Sequence, residues 1–583
     1  MSSETKINNE FSRLLGDFLI PSIITKAGIL ELRLGTSPPV CISDSFSWPM
    51  MPGITGLEYD SRNIKQGNLY FALQGVHTDG HDYVQDAISR GALAVLHEKE
   101  LGEYRNGIIY IRVKDSRFAM SPIAAAFYNF PSSCMGIIGV TGTEGKSTTV
   151  YLIYQLLELS GKKVGFISTV QHGDGLTVNW TSEHQTTPEA VTIHRLLAEM
   201  YQNGVETAVI ESSSHGLSKK TNRLGDVDFD VGVITSLTHD HLEFHGTWEQ
   251  YRSDKAELFR SLDVPDVKHK TKGNFSVPAF GVVNADDPNS EYFAAATKQK
   301  IYSFSTKGAK ADLSIKKIQS TATGNSYEVF VASSGKTISF EDKLPGAFNA
   351  GNVLAALLVV SNMLFKDIED LIPLVPFLKP VRGRMTAVNR GQPFEVVVDF
   401  AHTPSSFQAV LPPLREQLNS RGGRLICLFG SAVERDIQKR KSQGEIAARY
   451  SDIVILADED PRSEDPMTIL EDIAKGCEAD QGFETASGCE ANQGFETASG
   501  CEADQGCKNI SEALHMIREE TLFLIPDRPT AIRKACSLAR PGDLVLLLGK
   551  GHENSIIYAH EVKPYDEITE AETALEEAGY CAP

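Results

Sequence analysis

The stretch Gly139-Val140-Thr141-Gly142-Thr143-Glu144-Gly145-Lys146-Ser147-Thr148 constrains this chain more than any other. An apolar run, Met135 to Val140, precedes it and reads as a buried strand, and a helical pattern, Val150 to Leu159, follows it. Glycines between a strand and a helix expose several backbone N–H groups at the helix N-terminus, which form a cradle for phosphate oxygens. In such a loop Lys146 reaches the terminal phosphates and the Ser147 hydroxyl sits on Mg2+. The strict spacing puts glycine at position 140, where Val140 stands, so this loop is a variant. An incidental Gly-rich turn would not need both flanking elements, and the segment reads as an ATP or GTP site.

The 583 residues make room for about three or four domains. Hydrophobic content of 41% and charge of 23% are those of a soluble globular protein. A net charge of −20 argues against a nucleic-acid partner, which needs a basic face, and leaves small anionic substrates open to capture by local arginines. Glu4, Lys6 and Glu10 with no apolar core after them do not read as a signal peptide. No apolar stretch approaches the ~20 residues of a membrane span. The nine cysteines, four inside a repeat and five scattered, form no disulfide framework, so a reducing cytoplasm is the expected location.

Strands and helices alternate along most of the chain. Residues 1–133 form a first unit, with Gly67-Asn68 turning into the strand Leu69 to Leu73. Residues 134–378 open with the phosphate loop and continue through strands at Thr207 to Ile210, Val231 to Thr235 and Ala279 to Val283, predicting an α/β fold built on a mostly parallel sheet. Residues 379–583 carry strands at Glu395 to Val398, Leu425 to Phe429, Ile453 to Leu456 and Leu544 to Leu548, a second doubly wound, Rossmann-like domain. Gly476 to Ser487 reads GCEADQGFETAS, Gly488 to Ser499 reads GCEANQGFETAS, and a third copy begins at Gly500. That composition has too little apolar surface to offset ordering entropy, and cysteines twelve apart with no nearby histidine make a poor metal pattern. The expectation is a disordered insertion over 476–507.

Glu211, at the end of an apolar strand in Val209-Ile210-Glu211-Ser212-Ser213-Ser214-His215-Gly216, stands where open α/β sheets hold ligands and is placed to hold Mg2+ against the phosphates. A second strand leads into Thr238-His239-Asp240-His241-Leu242-Glu243-Phe244-His245-Gly246, where a neutral imidazole can ligate a metal. His239 and His245 read instead as residues that cap the loop or bond to backbone.

With Pro345-Gly346-Ala347-Phe348-Asn349-Ala350-Gly351-Asn352, Gly383-Arg384-Met385 and Asp399-Phe400-Ala401-His402-Thr403-Pro404, these motifs stand in the order found in the Mur ligases, and the chain resembles that family of ATP-dependent enzymes that build the peptidoglycan stem peptide. The resemblance covers nearly the whole chain except the repeat and implies the three-domain architecture of that family. Within it, Tyr59-Asp60-Ser61-Arg62, Gly67 to Leu73 and Asp79-Gly80-His81 are similar to the uridine-nucleotide-binding domain of the branch that adds the third residue. Glu459-Asp460-Pro461-Arg462 and Gly549-Lys550-Gly551-His552-Glu553 are similar to its amino-acid site.

The resemblance implies roles residue by residue. Thr141, Gly142, Thr143, Glu144, Gly145, Lys146, Ser147 and Thr148 bind ATP, with Asn352, Arg384 and Asp399 holding the nucleotide from the central and C-terminal domains. Tyr59 and Ser61 contact the UDP-sugar; Thr186, Thr187, Ser213 and Arg223, the last after a short insertion, hold its pyrophosphate side and dipeptide. Ser147, Glu211, His241 and Lys255 are the expected metal ligands. Read plainly, Lys255 is a solvated helix lysine; in the family this residue is carbamylated by CO2, which turns a cation into an oxygen donor suited to Mg2+. Lys146, Lys255, His241 and Arg384 are the expected catalytic groups. They would assist phosphorylation of a carboxylate on UDP-N-acetylmuramoyl-L-alanyl-D-glutamate and attack by an incoming amine. The partners implied are small molecules acting on a monomer.

Arg435, Glu459, Asp460, Pro461, Arg462, Gly549 and Glu553 form the expected amino-acid site. Enzymes of this branch that add meso-diaminopimelate carry Asp-Asn-Pro-Arg where this chain has Glu459-Asp460-Pro461-Arg462. Asp460 beside Glu459 adds negative charge and favours a bare ammonium, hence L-lysine or L-ornithine, whereas Arg462 suits the distal carboxylate of meso-diaminopimelate. Two rivals are a folylpolyglutamate-synthase-like ligase, which lacks the Ser61-bearing N-terminal domain, and a P-loop ATPase without ligase activity, which leaves Lys255, Arg435 and the Gly549 to Glu553 loop without purpose.

Overall fold

Runs of aliphatic and β-branched residues with no polar alternation make strands buried on both faces, the signature of parallel sheets covered by helices. Gly136–Thr141, Thr207–Glu211, Val231–Ile234, Leu425–Phe429, Ile453–Leu456 and Leu544–Leu548 are each buried at every residue. The structure, a computed structural model, describes residues 12–41, 53–75, 78–181, 185–238, 242–263, 270–272, 275–321, 324–432, 438–479 and 521–581. His239, Asp240, His241 and Arg435 lie outside the described residues, as does the repeat beyond Ala479.

The chain divides into two units. The first comprises Met1–Lys316, Glu328–Ile338 and Gly351–Val375, and the second Lys317–Tyr327, Ser339–Ala350 and Pro376–Pro583. The first contains a six-stranded sheet in the order Val40–Cys41, Ile29–Leu34, Ile109–Val113, Ala94–His97, Asn68–Phe71, Gly56–Glu58. It also contains a parallel array in the order Val164–Ile167, Thr207–Glu211, Gly136–Thr141, Val231–Ile234, Phe280–Asn284, Lys300–Ser305. The helix Lys146–Leu159 buries Val150, Leu152, Ile153, Leu156 and Leu157. Among the described residues no single helix is long and apolar enough to cross a membrane.

In the second unit, Glu395–Asp399, Leu544–Leu548, Leu425–Phe429, Ile453–Leu456 and Leu522–Leu524 lie side by side and parallel, with Thr386–Ala387 antiparallel at one edge. The loops after Asp399, Leu548 and Leu456 therefore leave from one end of the sheet, the end where open α/β sheets bind ligands.

The expected insertion needs one correction. Its first four residues, Gly476 to Ala479, complete the helix Pro466–Ala479, and Cys477 is fully buried in the core with Leu470, Ile473 and Leu544. Gly476 packs so closely on the helix Gln438–Tyr450 that a Cβ there would lie 2.1 Å from the Lys441 carbonyl oxygen; a Cβ at Gly444 would lie 2.2 Å from that of Ile473. The repeat thus begins on a packed helix whose small residues permit the crossing.

Candidate active site

The phosphate loop departs from Thr141 and enters the helix Lys146–Leu159, which starts without a side-chain cap and so leaves its first N–H groups for an anion. The glycines are sterically required. Gly142 has φ +146° and a Cβ would lie 2.0 Å from Thr235 Oγ1; Gly145 has φ +82° and a Cβ would lie 2.5 Å from Asn352 Oδ1. Val140, at the position of the missing glycine, lies inside the strand and is fully buried. Thr143 is fixed to the next strand end, its N–H donating to Ser236 O at 2.8 Å and its Oγ1 accepting from Thr238 N at 2.9 Å. Lys146 Nζ lies 2.9 Å from Thr143 O, folded over the loop it would serve. Thr149 Oγ1 donates to Asn352 Oδ1 at 3.1 Å, which brings Asn352 to the loop.

Behind the loop, Ser147 Oγ donates to Glu211 Oε1 at 3.0 Å, and Glu211 Oε2 accepts from Thr169 N at 2.9 Å. Strand register explains the meeting, since Glu211 pairs with Val140 next to the loop. A hydroxyl and a carboxylate in contact are hard oxygen donors of the kind Mg2+ takes. Lys255 is a buried residue rather than a solvated one: 2% exposed, its Nζ donates to Gly142 O at 2.6 Å and lies 4.7 Å from the centre of the Tyr251 ring. The helix that carries it, Trp248–Arg260, is capped by Thr247, whose side chain accepts from Gln250 N. His245 Nδ1 bonds Asp254 Oδ2 at 2.7 Å, a side-chain carboxylate rather than the backbone.

Thr187, Ser213 and Arg223 come together beside this strand end. Thr187 Oγ1 donates to Glu211 O at 2.9 Å and accepts from Ser213 N at 3.0 Å; Ser213 Oγ caps the helix Ser214–Leu217. Arg223 is buried, donating to Thr187 O and to Glu189, which Arg117 also engages. Thr186 is half-buried beside them. In the N-terminal sheet's loop, Ser61 begins a short helical turn capped by Asp60, and Tyr59 packs against the core.

In the second unit Asp399 accepts from Met385 N and Ala401 N, both at 2.8 Å, and Arg384 lies over the Phe400 ring at 4.5 Å. Burial pushes the Asp399 carboxyl up, opposed by Arg384 and the two N–H groups. Among the described residues the buried Arg384 Nε has no hydrogen-bond partner, which makes it a donor suited to an anionic ligand.

Glu459-Asp460-Pro461-Arg462 and Gly549 to Glu553 meet at the adjoining strand ends. Lys550 Nζ lies 3.0 Å from Asp460 Oδ1 and 2.5 Å from Glu553 Oε2. Burial pushes this ammonium down, but Glu553 and Asp460 outweigh it and hold it above its ordinary value. Burial pushes Glu553 up despite Lys550. Asp460 Oδ1 also accepts from Ile557 N at 3.0 Å. The charge that the sequence places on Asp460 is therefore met inside the protein, and the carboxylate with open capacity is Glu459: 6% exposed, its Oε2 buried with no hydrogen-bond partner among the described residues. Arg462, at φ +45°, is held by its N–H to Ile557 O. Lys550 was visible in its motif, but its role depends on a contact that spacing alone does not give.

Comparison with known proteins agrees across the chain. The Mur ligase family catalytic domain matches residues 53–128, the Mur ligase middle domain 140–360, and the Mur ligase glutamate ligase domain 383–498. The UDP-N-acetylmuramyl-tripeptide synthetase of Treponema denticola is 46% identical over 541 residues, covering 90% of this chain and 94% of that one. The UDP-N-acetylmuramoyl-L-alanyl-D-glutamate--2,6-diaminopimelate ligase of Geobacillus kaustophilus is 35% identical over 528 residues, covering 91% and 96%. A solved structure of a UDP-N-acetylmuramoyl-L-alanyl-D-glutamate--2,6-diaminopimelate ligase superposes with TM-score 0.54 at 26% identity, covering 92% of this chain and 98% of that chain. This chain therefore belongs to the Mur ligase family and is an ATP-dependent, ADP-forming ligase of the tripeptide-synthetase type.

Proposed function

We propose that this enzyme adds L-lysine or L-ornithine to UDP-N-acetylmuramoyl-L-alanyl-D-glutamate in the cytoplasm, as the third residue of the peptidoglycan stem peptide. The observation that carries the amino-acid choice is the acidic excess at the second unit's strand ends. Asp460 and Glu553 face one internal ammonium, Lys550, and Glu459 beside them keeps a buried oxygen with no hydrogen-bond partner among the described residues. A buried carboxylate oxygen left unpaired is costly and favours a cationic ligand. A substrate ending in a bare ammonium meets that need, and a distal carboxylate adds repulsion. The meso-diaminopimelate reading draws on Arg462, which can grip that carboxylate.

Residues 1–133, 134–378 and 379–583 serve as UDP-sugar, ATP and amino-acid domains. Lys146 and the N–H groups of the uncapped helix hold the phosphates, and Arg384 and Asp399 add a cation and an acceptor for the nucleotide. Tyr59 and Ser61 take the UDP-sugar; Thr186, Thr187, Ser213 and Arg223 take the remainder of that substrate. Mg2+ fits the oxygens of Ser147 and Glu211, with His241 and a carbamylated Lys255 completing the set, and when bound it neutralises phosphate charge. The burial of Lys255 against Gly142 O, inside the phosphate loop, supports the carbamate, because it places the modified amine beside the phosphates that the metal serves. The substrate carboxylate takes the γ-phosphoryl group from ATP, the amine attacks the acyl phosphate, and phosphate leaves. Arg435 and Arg462 orient the amino acid for that attack. ADP release measured with the UDP-dipeptide and each of L-lysine, L-ornithine and meso-diaminopimelate tests this reading. A tenfold preference in kcat/KM for meso-diaminopimelate, worth ~1.4 kcal/mol, would overturn the amino-acid choice.

A further inference from the structure

Arg528 is fully buried and lies outside every motif that carries the chemistry. It opens the helix Arg528–Leu538, capped by Asp527. Its guanidinium forks onto Glu567, with Nε donating at 2.8 Å and Nη2 at 2.6 Å, and Tyr565 hydroxyl bonds the same carboxylate. Two further donors go to backbone: Nη1 to Asp458 O at 3.1 Å and Nη2 to Leu548 O at 2.7 Å. Asp458 immediately precedes Glu459-Asp460-Pro461-Arg462, and Leu548 immediately precedes Gly549 to Glu553.

Sheet order gives this contact its meaning. Ile453–Leu456 and Leu544–Leu548 are not neighbours; Leu425–Phe429 runs between them. Each strand is laddered to Leu425–Phe429, which sets the strand spacing, but among the described residues no ladder of backbone hydrogen bonds joins the two strands directly. The rigid guanidinium fork spans the gap, anchored by Glu567, so both loop roots are fixed to one group. The fine contacts between the loops follow from that spacing: Lys550 to Asp460, and Glu459 against Gly549, where a Cβ would lie 2.9 Å from Glu459 Oε2.

We infer that the Arg528–Glu567 pair is a positioning device for the amino-acid site, setting the separation of its two loops without touching substrate. This rests on the reading of those loops as the amino-acid site. The test uses the full-length enzyme and compares Arg528→Lys, the double variant Arg528→Met with Glu567→Leu, and Glu459→Gln, with KM measured separately for amino acid, ATP and UDP-dipeptide. The double variant removes both buried charges together, a replacement that folded proteins often tolerate. Its amino-acid KM is expected to rise about 10- to 100-fold, the scale of loss from small misplacement of a binding group, with the other two KM values within about twofold. Arg528→Lys keeps the charge without the fork and is expected to show the same split to a lesser degree; it carries the test if the double variant fails to melt cooperatively. An unchanged amino-acid KM in a folded variant, or an equal rise in all three KM values, overturns the inference. Should Glu459→Gln also leave the amino-acid KM unchanged, the site reading itself has failed; should it raise KM while the Arg528 variants do not, only the positioning role has.

Discussion

Two deletions that differ by two residues separate the packed start of the repeat from the rest of it. Removing Gly476 to Ser499 joins Lys475 to Gly500-Cys501-Glu502-Ala503, which restores the native order Gly476-Cys477-Glu478-Ala479. Removing Gly476 to Cys501 instead joins Lys475 to Glu502-Ala503, which puts a glutamate at the helix crossing and an alanine where Cys477 is fully buried. A Cβ at the first position lies 2.1 Å from Lys441 O and 2.9 Å from Lys441 C, so backbone must move. Overpacking of that kind costs about 1–3 kcal/mol, and the lost sulfur adds about 1 kcal/mol more. At ~2–4 °C per kcal/mol for a unit of this size, the out-of-register deletion is expected to lower the second unit's Tm by roughly 4–16 °C. The in-register deletion shortens the connection by 24 residues (499 − 475), and loop length changes stability by only ~0.6 kcal/mol per doubling, so its melting curve and ligation rate should match the parent. Thermal unfolding of the two purified variants reads the difference. Equal melting temperatures would refute the packing argument, and an unstable in-register variant would show that the copies are not interchangeable.

Other expectations concern the chemistry. Lys146→Ala should lower turnover about 10²–10³-fold with the fold intact, as loss of one preorganised charge does; near-parental ATP-dependent ligation would remove Lys146 from the site. Lys255→Ala should be nearly inactive and partly rescued by short-chain carboxylates, while full activity in CO2-depleted buffer with an unmodified lysine mass would exclude the carbamate. Burial pushes the Asp458 carboxyl up to about 6, with Tyr558 and Arg528 opposing. A raised folded-state value means that stability is fully present below the unfolded value and is lost as pH rises through about 6. Asp458→Asn should therefore gain stability relative to the parent, on the order of 1 kcal/mol, between pH 5 and pH 7. A difference in Tm that is flat over this interval would show that Asp458 is not strained by its charge.

The sequence by itself determined the elements and the loops that carry chemistry. Unbroken apolar runs such as Leu425 to Phe429 and Leu544 to Leu548 are strands at those same bounds, because a strand covered on both faces leaves no polar alternation to blur its ends. The phosphate loop was legible for a similar reason: Gly142 and Gly145 answer local steric demands that hold wherever the loop is placed. What the sequence could not decide were the partners across the fold. Lys255 reads as one more helix lysine until the helix Trp248–Arg260 is packed and its amine lies on Gly142 O. Asp460 reads as open charge until sheet order brings Lys550 to it, ninety residues away in the chain. Gly476 and Cys477 read as repeat until the crossing with Gln438–Tyr450 turns them into helix and core. Local conformation is written in neighbouring residues, whereas the pairing of buried charges depends on which strands lie side by side, and only tertiary structure decides that.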